Sequence, residues 1–235
     1  MNIGIKHSAD VRATQDDLAE TAGKTIEVRI ISDAICPWGF IAKRRFEQAV
    51  TQMPDDVTLS VHWQPFELNP NMPPEGMDRV EYRSRKFGSW EHSLKLDAQV
   101  AVVGAEEGII FRHDLITRTP NTFNTHRLIW LAEQEGVQDA MVEAIFHAYF
   151  LAGQDIGEQR VLVDLGVAAG MSREKVAAFL QSDAGASAVS KAETIAYRQG
   201  VSGVPTFVID GKPVFSSAVP TDLMLSHLLN TVESS

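Results

Sequence analysis

The single cysteine of the chain, Cys36, is followed immediately by Pro37 and Trp38. A thiol can act as a nucleophile only as its thiolate, and a free cysteine with pKa about 8.5 is a few per cent ionised at neutral pH. The run Ile26–Ile31 before it is rich in β-branched residues and reads as a strand. The residues after it, with Phe40, Ile41, Phe46 and Val50 mostly toward one face, read as a helix. Proline is favoured in the first turn of a helix, so Cys36 is expected at a strand-to-helix junction with its sulfur above the helix N-terminus. Unpaired N–H groups and the helix dipole stabilise an anion there, and the thiol pKa is expected to fall. Nearby Asp33 would oppose that fall if its carboxylate faced the sulfur. The blander reading, a small buried hydrophobe, stays open beside it.

The elements that would position this thiol follow from pattern. Val57–Trp63 alternates polar and apolar residues and reads as a second strand, giving a βαβ unit. From Asp78 to Gln199 the strand signal stops and the periodicity predicts helices over Arg79–Phe87, Trp90–Glu107, Thr122–Glu135, Gln138–Leu151, Glu158–Ala169, Arg173–Gln181 and Ala184–Gln199. Gly108, Gly136, Gly153, Gly170 and Gly200 stand near their ends, where left-handed caps are common. Strand signals return at Thr206–Ile209 and Lys212–Phe215 around the hairpin pair Asp210-Gly211, and a last helix runs from Pro220 to Val232. The division expected is a mobile arm over 1–25, a first sheet half over 26–77, an all-helical insertion over 78–199 and a second half over 200–235.

Composition narrows the function. The 235 residues carry 21 Lys+Arg against 31 Asp+Glu, a formal charge of −10. Hydrophobic residues at 44% and charged residues at 22% describe a folded chain rather than a disordered one. The acidic balance argues against a nucleic-acid binder, which needs a concentrated basic surface. No run approaches the roughly 20 apolar residues of a membrane span, so no membrane partner is expected. One cysteine excludes an intrachain disulfide and a zinc site built on several thiolates. The seven histidines show no metal-ligand spacing, and no metal is expected. The first 25 residues, broken by Asp10, Asp16, Asp17 and Glu20, lack a secretory apolar run and read as an arm with a short helix capped by Thr14. A cytoplasmic location with a reduced thiol is the expectation.

At this point motifs carry a resemblance. Cys36-Pro37-Trp38 after the first strand resembles the active-site start of the DsbA-like thioredoxin-fold family, and Gly200-Val201-Ser202-Gly203-Val204-Pro205-Thr206 resembles its cis-proline loop. Pro65–Pro70, Thr119–Leu128 and Phe146–Phe150 are similar to segments of its FrnE-type branch. The resemblance spans about residues 26–230. It implies an α/β thioredoxin fold, a four-stranded mixed sheet interrupted by a large helical insertion. It also implies a thiol oxidoreductase in which Cys36, Pro37, Trp38 and Pro205 form the catalytic centre, with glutathione as an open cofactor.

The departure from the family matters as much. Gly39 stands where dithiol members carry their second cysteine. A mixed disulfide at Cys36 must then be resolved by another molecule, such as glutathione. Related 2-hydroxychromene-2-carboxylate isomerases and kappa-class glutathione transferases need no cysteine pair, which keeps open a glutathione-dependent isomerase or transferase of an aromatic or polyketide-like substrate. Their Ser-Asp pair near the last helix corresponds to Ser217-Ala218-Val219 here, without the Asp; Asp183, Lys191 or main-chain groups are the substitutes available. A non-catalytic binding protein is the third class. The partner is accordingly a thiol/disulfide substrate or a small aromatic molecule, with a homodimer among the open assemblies.

Substrate contacts are expected from Gly39, from Val204 through its backbone beside a cis Pro205, from Phe66 and Asn69 on the cleft wall, and from Asn121 and Thr122 in the turn that relatives place opposite the thiol. Trp38 reads equally as a platform or a lid. Phe66 reads also as core, and Asn124 and His126 as cap and helix-face residues. The cluster Arg79, Arg83, Arg85 and Lys86, interrupted by Glu81, reads as a solvated face, with attraction of an anionic substrate as its alternative.

Overall fold

A computed structural model describes residues 24–234; the expected arm and its Thr14-capped helix lie outside the described residues as far as Gly23, while Lys24 and Thr25 belong to the first strand and not to an arm. The first strand, β1 (Lys24–Ser32), leads into helix α1 (Pro37–Val50), and β2 (Val57–Pro65) follows. Far along the chain β5 (Thr206–Ile209) and β6 (Lys212–Ser216) complete a four-stranded sheet of order β2-β1-β5-β6, and α9 (Thr221–Ser234) closes the described chain. β1 pairs parallel with β2 and antiparallel with β5, so the sheet is mixed.

Side chains alternate across a strand, and β1 uses both faces. Ile26, Val28 and Ile30 join Phe40, Phe46 and Phe207 in the main core, whereas Ile31 points into a second cluster with Phe66, Val201 and Val208. The β5–β6 turn has Asp210 at φ 44° and Gly211 at φ 79°, the positive values that a two-residue hairpin requires. The Asp210 side chain also accepts from the Glu27 N–H at 2.9 Å, tying the turn back to β1.

Between β2 and β5 run α2 (Arg79–Phe87), α3 (Trp90–Glu106), α4 (Phe123–Gln134), α5 (Gln138–Phe146), α6 (Gln159–Ala168), α7 (Arg173–Leu180) and α8 (Ala186–Arg198). The predicted Gln138–Leu151 helix changes character at His147, where α5 gives way to a π turn over His147–Leu151. This segment is not free of strand. Two residues, Met77–Asp78 (β3), pair antiparallel with Arg118–Thr119 (β4). The approach is close enough that a Cβ on Gly76, whose φ is 71°, would stand 2.6 Å from the Thr119 carbonyl oxygen. Two-residue strands carry no readable alternation, which is why the pattern missed them. The ladder matters because it fixes where α2 begins.

Candidate functional site

Cys36 is the N-cap of α1, with φ −88° and ψ 109°, and Pro37 opens the helix. The tight approach from β1 is held by the Cys36 N–H donating to the Asp33 carbonyl at 3.0 Å. Across from it the Val204–Pro205 peptide bond is cis. The Cys36 Sγ–H donates to the Val204 carbonyl at 3.5 Å. The junction expected from sequence is therefore present, and the loop expected opposite it is there as well.

The expected lowering of the thiol pKa is not. Cys36 is 4% exposed, and burial pushes its pKa up to about 12. The N–H groups of Gly39 and Trp38 pull the other way, and so does Lys86, but Asp33 adds to the rise and desolvation dominates. The helix N-terminus does act on the sulfur; it is outweighed by the loss of water around it.

Cys36, Pro37, Trp38 and Val204 form one side of a cleft of about 410 Å³. The other side comes from α2 and α3: Arg79, Tyr82, Arg83, Lys86 and Phe87 from the first, Leu96, Asp97 and Val100 from the second, with His113, Tyr149 and Phe150 at the far end. Arg79 is buried, against the reading of this cluster as a solvated face, which holds for the exposed Arg85 and Lys86. Its guanidinium and that of Arg83 each donate to one oxygen of the buried Asp97 at 2.6 Å. Positions 79, 82, 83 and 86 lie on one helical face; that spacing was the signal in the sequence, and the pairing with Asp97 was hidden in the neighbouring helix.

The remaining expected contacts are distributed differently. Asn69 stands behind the cleft rather than on its wall, where its Oδ1 accepts from Tyr82 Oη at 2.5 Å and Lys86 Nζ at 3.0 Å, fixing two wall residues. Phe66 faces away into the second cluster, 5.0 Å from the Tyr197 ring, because the residue after β2 follows the Ile31 face. Asn121 and Thr122 are off the cleft. Asn121 spends its amide on the Met72 carbonyl at 2.8 Å and the Phe123 N–H at 3.0 Å, while Thr122 is the buried N-cap of α4 without a side-chain cap bond. Gly39 is buried in the first turn of α1, where an added Cβ would meet Ser32 Oγ at 2.4 Å. The Ser217–Val219 stretch also lies off the cleft, with the Ala218 carbonyl accepting from Arg45 at 2.6 Å. Asp183 and Lys191 are not on its walls either.

Behind the thiol lies a second group that sequence reading left as helix-face and loop residues. Asp33 is buried and accepts from the Leu68 N–H at 2.7 Å, and His126 Nε2 stands 3.4 Å from its Oδ1. Burial works against a charged His126, yet Asp33, Glu193 and Glu67 outweigh it and raise its pKa. Glu67 is pushed up to about 7, by burial first and by Glu193 second. No spacing in the chain announces this cluster.

Among the described residues no group of three or more His, Cys, Asp or Glu is arranged to hold a metal, and no helix is long and apolar enough to cross a membrane. Comparisons with known proteins agree with the geometry. An uncharacterised protein of Bacillus subtilis, YwbO, is 25% identical over 204 residues, covering 83% of this chain and 96% of its own length. The crystal structure of a probable DsbA oxidoreductase from Streptomyces coelicolor superposes with a TM-score of 0.81 at 30% identity, covering 89% of this chain and 91% of that one. The fold alone is shared with the cytosolic disulfide reductase DsbM of Pseudomonas aeruginosa, solved with GSH, at TM-score 0.59 and 17% identity over 88% of this chain and 99% of that one. A DSBA-like thioredoxin domain profile matches residues 27–229, and with that match spanning nearly all the described residues the chain belongs to the DSBA-like thioredoxin family.

Proposed function

We propose that the protein is a single-cysteine thiol–disulfide oxidoreductase that works through a mixed disulfide at Cys36, with glutathione as the thiol that resolves it. The observation carrying this reading is the placement of the Cys36 sulfur at the N-terminus of α1, 3.5 Å from the Val204 carbonyl, on the wall of a cleft large enough for a small molecule. An incoming disulfide would take the position facing Val204, whose N–H has no partner among the described residues, in the manner of an added strand. Cys36, Pro37 and Trp38 form the reacting wall; the cis bond to the buried Pro205 sets the backbone of Val204, which aligns the substrate.

In this mechanism the Cys36 thiol, protonated in its buried resting state, loses its proton to cleft water as the substrate displaces the Val204 carbonyl contact. The Gly39 and Trp38 N–H groups, which already pull the thiol toward ionisation, then hold the thiolate. The Cys36 sulfur bonds to one substrate sulfur, the substrate disulfide breaks, and the departing thiolate takes the proton. No second cysteine exists to expel the adduct, so an external thiol must attack it. A cytoplasmic setting supplies such a thiol. The solved disulfide reductase with GSH supports glutathione as that reagent.

A glutathione-dependent isomerase or transferase is the second reading. It is favoured by the apolar, aromatic body of the cleft formed by Trp38, Phe87, Leu96 and Phe150. Treatment with glutathione disulfide followed by intact-mass measurement separates the two. The oxidoreductase acquires one glutathionyl group at Cys36 and loses it on addition of reduced glutathione. Absence of the adduct under native conditions, with Cys36 reactive after unfolding, would reject the mixed-disulfide mechanism.

A further inference from the structure

The two walls of the cleft differ in kind: one holds the sulfur, the other holds charge. Arg79, Arg83 and Lys86 bring three positive charges to the α2 side, and Asp97 is the one carboxylate on the cleft wall among the described residues. The chain as a whole is −10, so this excess of positive charge is local and runs against the protein's average. Its members are also incompletely partnered. Arg79 is buried, and its Nε has no hydrogen-bond partner among the described residues. Lys86 donates to neutral oxygens, those of Asn69 and Tyr82 at 3.0 and 2.7 Å. Asp97 thus answers two guanidinium groups with one carboxylate, leaving a buried Arg79 N–H without an acceptor beside a lysine without a carboxylate.

We propose that this wall is an anion-binding site that takes the carboxylate of a small organic disulfide or thiol, holding it so that its sulfur meets Cys36. The proposal rests on the single-cysteine reading above and names its substrate class: small, anionic and apolar in its body, rather than a protein chain. The charges lining the cleft act on one another. Burial lowers the pKa of both Arg83 and His113, and Arg79 lowers each further against the pull of Asp97. Lys86 is near enough to favour the Cys36 thiolate, so one cation faces both the carboxylate and the reacting sulfur. Trp38, Leu96 and Val100 supply the apolar surface between the two ends. A volume of about 410 Å³ suits a molecule of that kind. The step balances as one exchange: Cys36–SH and R–S–S–R give Cys36–S–S–R and R–SH, the proton of Cys36 leaving on the released thiol.

Two aromatic disulfides of opposite charge character test it. One, 5,5′-dithiobis(2-nitrobenzoate), carries carboxylates; the other, 4,4′-dithiodipyridine, carries none. The anionic reagent is expected to modify Cys36 with a rate that saturates, and Lys86→Met is expected to slow it at least about tenfold more than the neutral reagent. The neutral reagent corrects for the loss of the Lys86 pull on the thiol, and Lys86→Arg should restore the preference. An equal slowing of both reagents would overturn the site. Lys86 is exposed, so its replacement tests charge without emptying the core. A second measurement is independent of sulfur chemistry: calorimetric titration of Cys36→Ser protein with benzoate. Saturable binding weakened by Lys86→Met supports the site even if neither disulfide reacts, in which case the single-cysteine function fails and the anion site stands. Absence of benzoate binding overturns the site whatever the thiol does.

Discussion

A Cβ placed on Gly39 would lie 3.7 Å from the Cβ of Cys36 and 2.4 Å from the Ser32 hydroxyl oxygen. The first distance falls within the 3.5–4.5 Å or so of a disulfide; the second is a collision. A second cysteine is thus missing from a position whose reach to Cys36 is intact and whose space is filled by a serine. Gly39→Cys alone should pair poorly with Cys36 and cost roughly 1–3 kcal/mol through overpacking. Combined with Ser32→Ala, it should close a 36–39 disulfide and expel a glutathione adduct that the natural chain retains. Intact-mass measurement before and after incubation reports both outcomes. A double variant that stays a dithiol under oxidant would show that α1 does not present the two positions as described.

The buried thiol sets a pH profile. With its pKa pushed up to about 12 by desolvation, alkylation of Cys36 by neutral iodoacetamide should be on the order of a thousandfold slower at pH 7.5 than that of a free cysteine. The rate should keep climbing through pH 9, where a free thiol is already levelling. A plateau below pH 9 in stopped-flow alkylation would mean that the N–H donors of Gly39 and Trp38 prevail over burial.

Asp33 faces the thiol from behind and raises its pKa. Asp33→Asn should therefore speed Cys36 alkylation at pH 7.5, by about three- to tenfold, while leaving an oxygen to accept from the Leu68 N–H. It also removes the ion-pair partner of His126. His126 then faces only burial and the charges of Glu67 and Glu193, and its NMR-detected titration should move down. A thiol rate unchanged or lowered by this substitution would detach Asp33 from the site.

Stability should peak in mildly acid solution. Glu67 at about 7 and His126 and Glu193, both raised, all bind protons more tightly in the folded state than in the unfolded one. Their contribution is complete below the unfolded values and is lost as pH rises, for Glu67 between about 4.5 and 7. Glu143 has the opposite sign. Burial alone would raise it, but Arg44 and Lys43 hold its pKa at about 2, so its contribution is present above 4.5 and lost as pH falls toward 2. Thermal melts should show a maximum near pH 5, and Glu67→Gln should flatten the alkaline limb by about 1–2 kcal/mol. An unfolding midpoint that rises from pH 5 to pH 8 would contradict this balance.

Much of the scaffold was legible because its signals are local. The β-branched runs at Ile26–Ile31 and Thr206–Ile209, the Asp210-Gly211 turn and the glycine caps each carry their own steric reason, and the elements fall where those residues stand. The cis Val204–Pro205 loop facing Cys36 was legible through motif resemblance. What was not legible depends on depth. A helix end announces dipole and N–H donors, but the water lost around Cys36 is set by residues scattered along the chain. Arg79, Tyr82, Arg83 and Lys86 share a face, yet whether that face meets solvent or a cleft is decided by Asp97 on α3. Phe66, Asn121 and Thr122 stand in segments of the right resemblance and still point elsewhere, since one residue of strand phase or one cap bond suffices to turn a side chain away.

The thiol and the Val204 carbonyl sit just beyond the ends of β1 and β5, two strands locked antiparallel with Ile30 opposite Phe207 and Ile31 opposite Thr206. A slip of one residue in that ladder would carry the two groups roughly 3.4 Å past one another and turn each strand's side chains to the other face. The aim of the sulfur is therefore inherited from the hydrophobic interior, not tuned in the loops that bear the reacting groups. Damage to Ile30 or Phe207, which touch no part of the cleft, would register first as lost alignment, so that in this chain a defect in reactivity and a defect in packing are one lesion seen at two distances.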